Sequence, residues 1–145
     1  MNKLLELYKK YKEIILYLIF GVLATVVSLG VKYALLFTVL EASNAVQLQI
    51  AVIISWVAAV LFAYFTNRNF VFESKNQNKL KEFSSFVVAR ITTLIMEMII
   101  MWFFVTLLGL NSNLYVVIFT LISQVVVIVG NYILSKLFVF KKADK

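Results

Sequence analysis

A twenty-residue segment occurs twice in this chain. Residues 54–73 read ISWVAAVLFAYFTNRNFVFE, and residues 122–141 read ISQVVVIVGNYILSKLFVFK. The copies lie 68 residues apart without a gap, sharing Ile, Ser, Val, Tyr and the closing Phe-Val-Phe. Arg68 in the first is matched by Lys136 in the second. Each copy is an apolar stretch that runs into polar residues, then a base, then an aromatic tripeptide. A duplicated half with a basic, polar helix end points to a small membrane transporter with its site near one membrane surface.

Four apolar runs, 14–40, 48–66, 83–108 and 114–134, meet the length of about 20 apolar residues needed to cross a bilayer. Hydrophobic residues make up 63% of the 145, and the mean hydropathy is +0.95, too apolar for a water-soluble domain of this size. The fold expected is an all-α membrane protein. Its four transmembrane helices form two parallel two-helix repeats, with halves 1–70 and 71–145 in one domain, 1–145. The first run is too long for the core of a cleavable signal peptide and is read as a span. Residues 3–12 read either as an interfacial amphipathic helix, with Leu4, Leu7, Tyr8 and Tyr11 on one face, or as an extension of the first span.

Cys and His are absent, which removes disulfides, thiol chemistry and histidine-based catalysis. The only Asp is Asp144, in the basic tail, so no aspartate pair can hold a metal. No Gly-rich phosphate loop exists to couple ATP. The chain is expected to be no enzyme and to need no cofactor.

Basic residues fix the expected orientation. Lys3, Lys9, Lys10 and Lys12 precede the first span; Arg68, Lys75, Lys79 and Lys81 lie between the second and third; Lys136, Lys141, Lys142 and Lys145 follow the fourth. The other two connections carry none. By the positive-inside rule, both termini and the middle loop are cytoplasmic. The net charge of +7 then follows from topology and attraction to anionic lipid, with no nucleic-acid partner.

An even number of spans per repeat gives the copies the same orientation. At the same offset the first and third spans align weakly: Arg90 falls on Val22, Glu97 on Leu29 and Lys32 on Ile100. These two spans hold the intramembrane charges, which in lipid mark function by default. Arg90 either snorkels to the headgroups or grips a phosphate bidentately. Glu97 shares a helix face with Arg90 and Thr93 and pairs with Lys32, unless it carries protons or Lys32 snorkels outward. Ser55, Ala59, Ala63 and Thr66 or Asn67 have the spacing of a packing face. Gln124, Asn131 and Ser135 share a face, and the plainest role for Gln124 and Asn131 is polar interhelical contact.

The patterns YLIFGVLATVVS, AYFTNRNFVF and GNYILSKLFVF together resemble the GtrA-like family of small four-helix membrane proteins, over nearly the full length. The resemblance implies movement of polyprenyl (undecaprenyl)-phosphate-linked monosaccharides from the cytoplasmic to the outer leaflet of the cell membrane. Such lipids feed glycosylation of teichoic acid, O-antigen and similar polymers. Ala63, Asn67, Val71 and Phe72 carry over as motif positions, and Arg90, Asn131, Lys136 and Phe140 as further ones. Arg68, Arg90 and Lys136 would bind the phosphate; Asn67 and Asn131 would meet the headgroup. Two other readings stand beside a flippase. One is a non-transporting subunit that docks a glycosyltransferase through its 75–81 loop. The other is a small cation or drug exporter, which the excess of basic residues opposes. Four helices leave little room around a sugar, so a homo-oligomer is expected, a dimer first, with contacts through Ala59 and Ala63.

Overall fold

A computed structural model describes residues 2–141; Lys142, Asp144 and Lys145, assigned above to the basic tail, lie outside them. The described chain is helical: α1 (Asn2–Thr38), α2 (Ala45–Thr66), α3 (Lys79–Met101) and α4 (Asn113–Leu134). In hydrocarbon a helix is the one open segment that satisfies all its own backbone groups. Asn44 caps α2, its side chain accepting from the N–H of Val46 and of Gln47. Asn78 caps α3 by accepting from the N–H of Lys81. Left-handed backbone at Glu73 (φ +47°) and Gly109 (φ +68°) turns the chain out of the preceding helices.

α1 is one uninterrupted helix, so residues 3–12 extend the first span and form no separate interfacial helix. Its 37 residues give about 55 Å, well beyond the ~30 Å hydrocarbon core. α3 likewise starts four residues before the apolar run, because the Asn78 cap, not hydrophobicity, sets its beginning.

Three of the helices end in a wider π turn: Asn67–Val71 after α2, Trp102–Leu107 after α3 and Ser135–Val139 after α4. Each closes with a bond across five residues: Phe72 N–H to Asn67 O (2.9 Å), Leu108 N–H to Phe103 O (3.0 Å) and Phe140 N–H to Ser135 O (2.8 Å). The turns at 67–71 and 135–139 stand at the same 68-residue offset as the sequence copies. The wider ring ties Phe72 to Asn67 and Phe140 to Ser135 through the backbone. Two consecutive residues, Val71 with Phe72 and Val139 with Phe140, thereby both become buried.

The helices group into two compact units, one ending at Ser74 and the other starting at Lys75. In the first, α1 packs on α2 and on the π turn that follows it. Its buried positions include Tyr17 and Ala24 on α1 and Ala51, Ser55, Val60, Ala63 and Tyr64 on α2. Ser55 sends its hydroxyl proton to the Val52 carbonyl (2.8 Å), so a polar residue sits in the seam at little cost. In the second unit α3 packs on α4 and on the last π turn. Ser123, 68 residues beyond Ser55, is buried too and donates to Thr120 O (2.9 Å). A Cβ added to Gly130 would meet Thr93 Cγ2 at 3.3 Å, so α3 and α4 approach closely there. At the other end of this unit Phe104 stacks on Phe119 with centroids 4.4 Å apart.

The distribution of side chains is inside out relative to a water-soluble protein. Ser55, Thr66, Asn67, Glu82, Thr93, Ser123, Asn131 and Ser135 are buried, while large apolar residues along all four helices are exposed. That is the pattern of helices held by small and polar contacts with lipid outside. The buried positions of α1 and α3 follow a second spacing. Tyr17 and Ala24 correspond to Phe86 and Thr93 at an offset of 69, and Lys12-Glu13 to Lys81-Glu82 at the same offset. That offset is one residue longer than the 68 of the motif copies. At the new register Arg90 falls on Gly21, Glu97 on Ser28 and Lys32 on Met101.

Candidate functional site

In the first unit the motif residues Ala63, Asn67, Val71 and Phe72 lie together on the buried side of the α2 end. The π turn is what unites them. The Asn67 N–H reaches the carbonyls of Ala63 and Tyr64, and its own carbonyl accepts from Phe72. Phe72 lies beneath the Tyr17 ring of α1, with centroids 6.4 Å apart. Phe70 of the same tripeptide is exposed and stacks on Phe20 (5.5 Å). The tripeptide is thus an outward aromatic anchor and an inward packing residue, not a uniform belt. Asn67 is only 3% exposed, and its Oδ1 has no hydrogen-bond partner among the described residues. A buried acceptor left in this state costs about 1–3 kcal/mol. Arg68, the next residue, is half-buried.

In the second unit the polar side chains form a ladder between α3 and α4. Thr93 donates its hydroxyl to Asn131 Oδ1 (2.8 Å), and both are buried. Gln124 Nε2 donates to Glu97 Oε1 (2.7 Å). Below this ladder Arg90 is half-buried, its guanidinium carbon 4.8 Å from the centroid of the Phe86 ring. Phe86 in turn contacts Phe140 at 5.9 Å. Arg90 is therefore joined through Phe86 to the closing residue of the second motif, and by a single helical turn to the Thr93–Asn131 bond. At 1.5 Å per residue it stands about 16 Å along α3 from Lys79. An aromatic face steadies such a cation where water is scarce.

Not every expected residue joins these groups. Lys136 is exposed and donates to the Tyr132 hydroxyl (3.1 Å), away from the buried face. Lys32 is half-buried on α1, with its ammonium 5.5 Å from the Tyr33 ring centroid. Ala63 is buried inside its own unit, which removes it from any face open to a second copy; Ala59 is half-buried. Ser135 and Gly130 were absent from the expected site. Ser135 is buried at the place of Asn67, and the 68-residue offset is the signal that finds it. Among the described residues, no group of three His, Cys, Asp or Glu side chains could hold a metal ion.

Residues 16–140 match the GtrA/DPMS transmembrane domain. The chain belongs to this family. The match to the GtrA/DPMS domain ends on Phe140, the last residue of the second motif. Among its relatives is the cell wall teichoic acid glycosylation protein GtcA of Listeria innocua, 38% identical over 89% of this chain and 85% of that one. The protein of the same name from Listeria monocytogenes is 36% identical over 89% and 85%. An uncharacterized membrane protein, YwcD of Bacillus subtilis, is 34% identical over 90% of this chain and 98% of its own. No solved structure matches the chain. All four helices are long and apolar enough to cross a membrane, and this member of the GtrA/DPMS family is a multi-pass membrane protein.

Proposed function

We propose that this chain is a flippase. It carries a polyprenyl-phosphate-linked monosaccharide from the cytoplasmic to the outer leaflet of the cell membrane, for glycosylation of a cell-surface polymer. Teichoic acid is the polymer named for its Listeria relatives. In this reading the two units are parallel repeats within one domain, and both termini and the middle loop are cytoplasmic. The protein makes and breaks no bonds, so it is not an enzyme. Consumption of the sugar outside draws the lipid across.

The observation that carries the reading is Arg90, a cation half-buried within an apolar helix, next to a satisfied Thr93–Asn131 pair. An intramembrane charge kept beside polar partners suits an anion passing through. Its guanidinium pairs with the phosphodiester, and Arg68 and Lys136 each add positive charge at the end of the motif in their own unit. Asn67 offers its free acceptor to a sugar hydroxyl, and Asn131 sits one turn beyond Arg90. Ala63, Val71 and Phe72 hold the first motif in place, and Phe140 the second. Glu97, already held by Gln124, and Lys32 are the intramembrane charges of the two units. The working form is a homodimer, and the membrane glycosyltransferases that make and use the lipid are its functional neighbours.

Expression in a Listeria strain lacking GtcA tests this reading, with lectin binding to the cell wall as readout. The wild-type chain restores glycosylation, and Arg90→Ala at equal membrane level does not. Full restoration by Arg90→Ala overturns the assigned role of the third helix.

A further inference from the structure

A groove of about 530 Å³ runs along the second unit, lined by Lys81, Ser84, Ser85, Val88, Ala89, Thr92, Leu134 and Phe138. None of the residues discussed so far as phosphate or headgroup contacts lines it. Its volume lies in the range of small-molecule sites. The lining is graded along α3. Lys81 stands at the start of the helix, the two serines follow, and the apolar part between α3 and the α4 end comes after.

The chemistry of the lining selects a ligand. Among the described residues, Lys81 is the only charged group in the lining, and no carboxylate lines it. The hydroxyls of Ser84, Ser85 and Thr92 already donate to the carbonyls of Leu80, Lys81 and Val88, each at 2.9 Å. Lys81 is thus the one donor not committed to the helix. From residue 81 to residue 92 the groove extends about 16 Å along α3. One stripe of α3 and two residues from the α4 end make a single lane, with its cationic mouth at one end of an apolar bed. A diacyl lipid would need two lanes.

We propose that this groove docks the substrate lipid before translocation. The phosphate sits at Lys81, and one polyprenyl chain lies along Val88, Ala89, Leu134 and Phe138. The inference rests on the flippase reading for the identity of the lipid, yet it concerns a separate site. Loading at Lys81 precedes transfer to Arg90.

The test uses the full-length protein in phosphatidylcholine nanodiscs and a polyprenyl phosphate carrying a photoreactive diazirine near the phosphate. Labelling is expected on groove peptides. Unlabelled polyprenyl phosphate should compete it, and phosphatidylglycerol should not. Lys81→Glu and Thr92→Trp, both at exposed positions, should each lower labelling about tenfold or more, the scale of one lost charged contact or a blocked lane. Arg90→Ala should leave groove labelling intact. Equal competition by phosphatidylglycerol, or labelling unchanged in both groove variants, overturns the proposal. The two readings fail separately. Groove labelling without any lipid movement by the protein keeps the site and removes the flippase. Movement that survives both groove variants keeps the flippase and removes the site.

Discussion

Asn67 is buried with an unsatisfied oxygen at the first residue of a π turn, where a purely structural role would favour an apolar side chain. Replacing it with leucine, similar in size, removes the lone acceptor. Asn67→Leu is therefore expected to unfold at equal or higher temperature in detergent, by up to the ~1–3 kcal/mol such a group costs, while cell-wall glycosylation is lost. A clear loss of stability would show that the amide serves the fold. The sequence made Asn67 conspicuous through the repeated motif, but it could not show the orphaned oxygen. That depends on the π turn, and π turns have no composition signal. Arg90 and Glu97 were legible for a simpler reason: a charge inside an apolar run is visible without a structure.

At the scale of the helix pair, α3 and α4 are held where Gly130 faces Thr93. Thr93 is fixed by its bond to Asn131 and cannot swing away from a new methyl group. Gly130→Ala should therefore destabilise the protein by about 1–3 kcal/mol, as overpacking does. Thr93→Ser keeps the hydroxyl and deletes Cγ2, so the double variant should recover most of the loss. Thermal unfolding of the three variants checks this; no recovery would place the strain elsewhere. The four spans themselves were legible because lipid demands long apolar helices. Their ends were less so. The start of α3 is set by an Asn cap among charged residues, and the helix ends of α2 and α4 by π turns. Phe-Val-Phe reads in sequence as one aromatic anchor, yet the wider turn sends Phe70 and Phe138 outward and Phe72 and Phe140 inward.

At the scale of the whole molecule, Lys32 and Glu97 are proposed to work as a charge pair. Lys32→Glu and Glu97→Lys should each reduce glycosylation strongly, since each leaves two like charges in the membrane. The charge-swapped double variant should recover, with a coupling of about 0.5–3 kcal/mol when the activities are compared. A double variant no better than the worse single one would separate the two residues. In the sequence their similar depth comes from the repeat, since Lys32 falls on Ile100, within one turn of Glu97; their pairing depends on tertiary placement, which periodicity cannot supply.

The central claim is that the protein alone moves a lipid-linked sugar and that Arg90 handles its phosphate. The direct measurement is transbilayer movement of a polyprenyl-phosphate-linked monosaccharide in liposomes that hold only the purified protein. Movement should be fast with the wild-type chain. With Arg90→Ala it should fall at least about tenfold, the scale of one lost charge-assisted contact. No movement by correctly folded wild-type protein, or equal movement by both forms, would contradict the account.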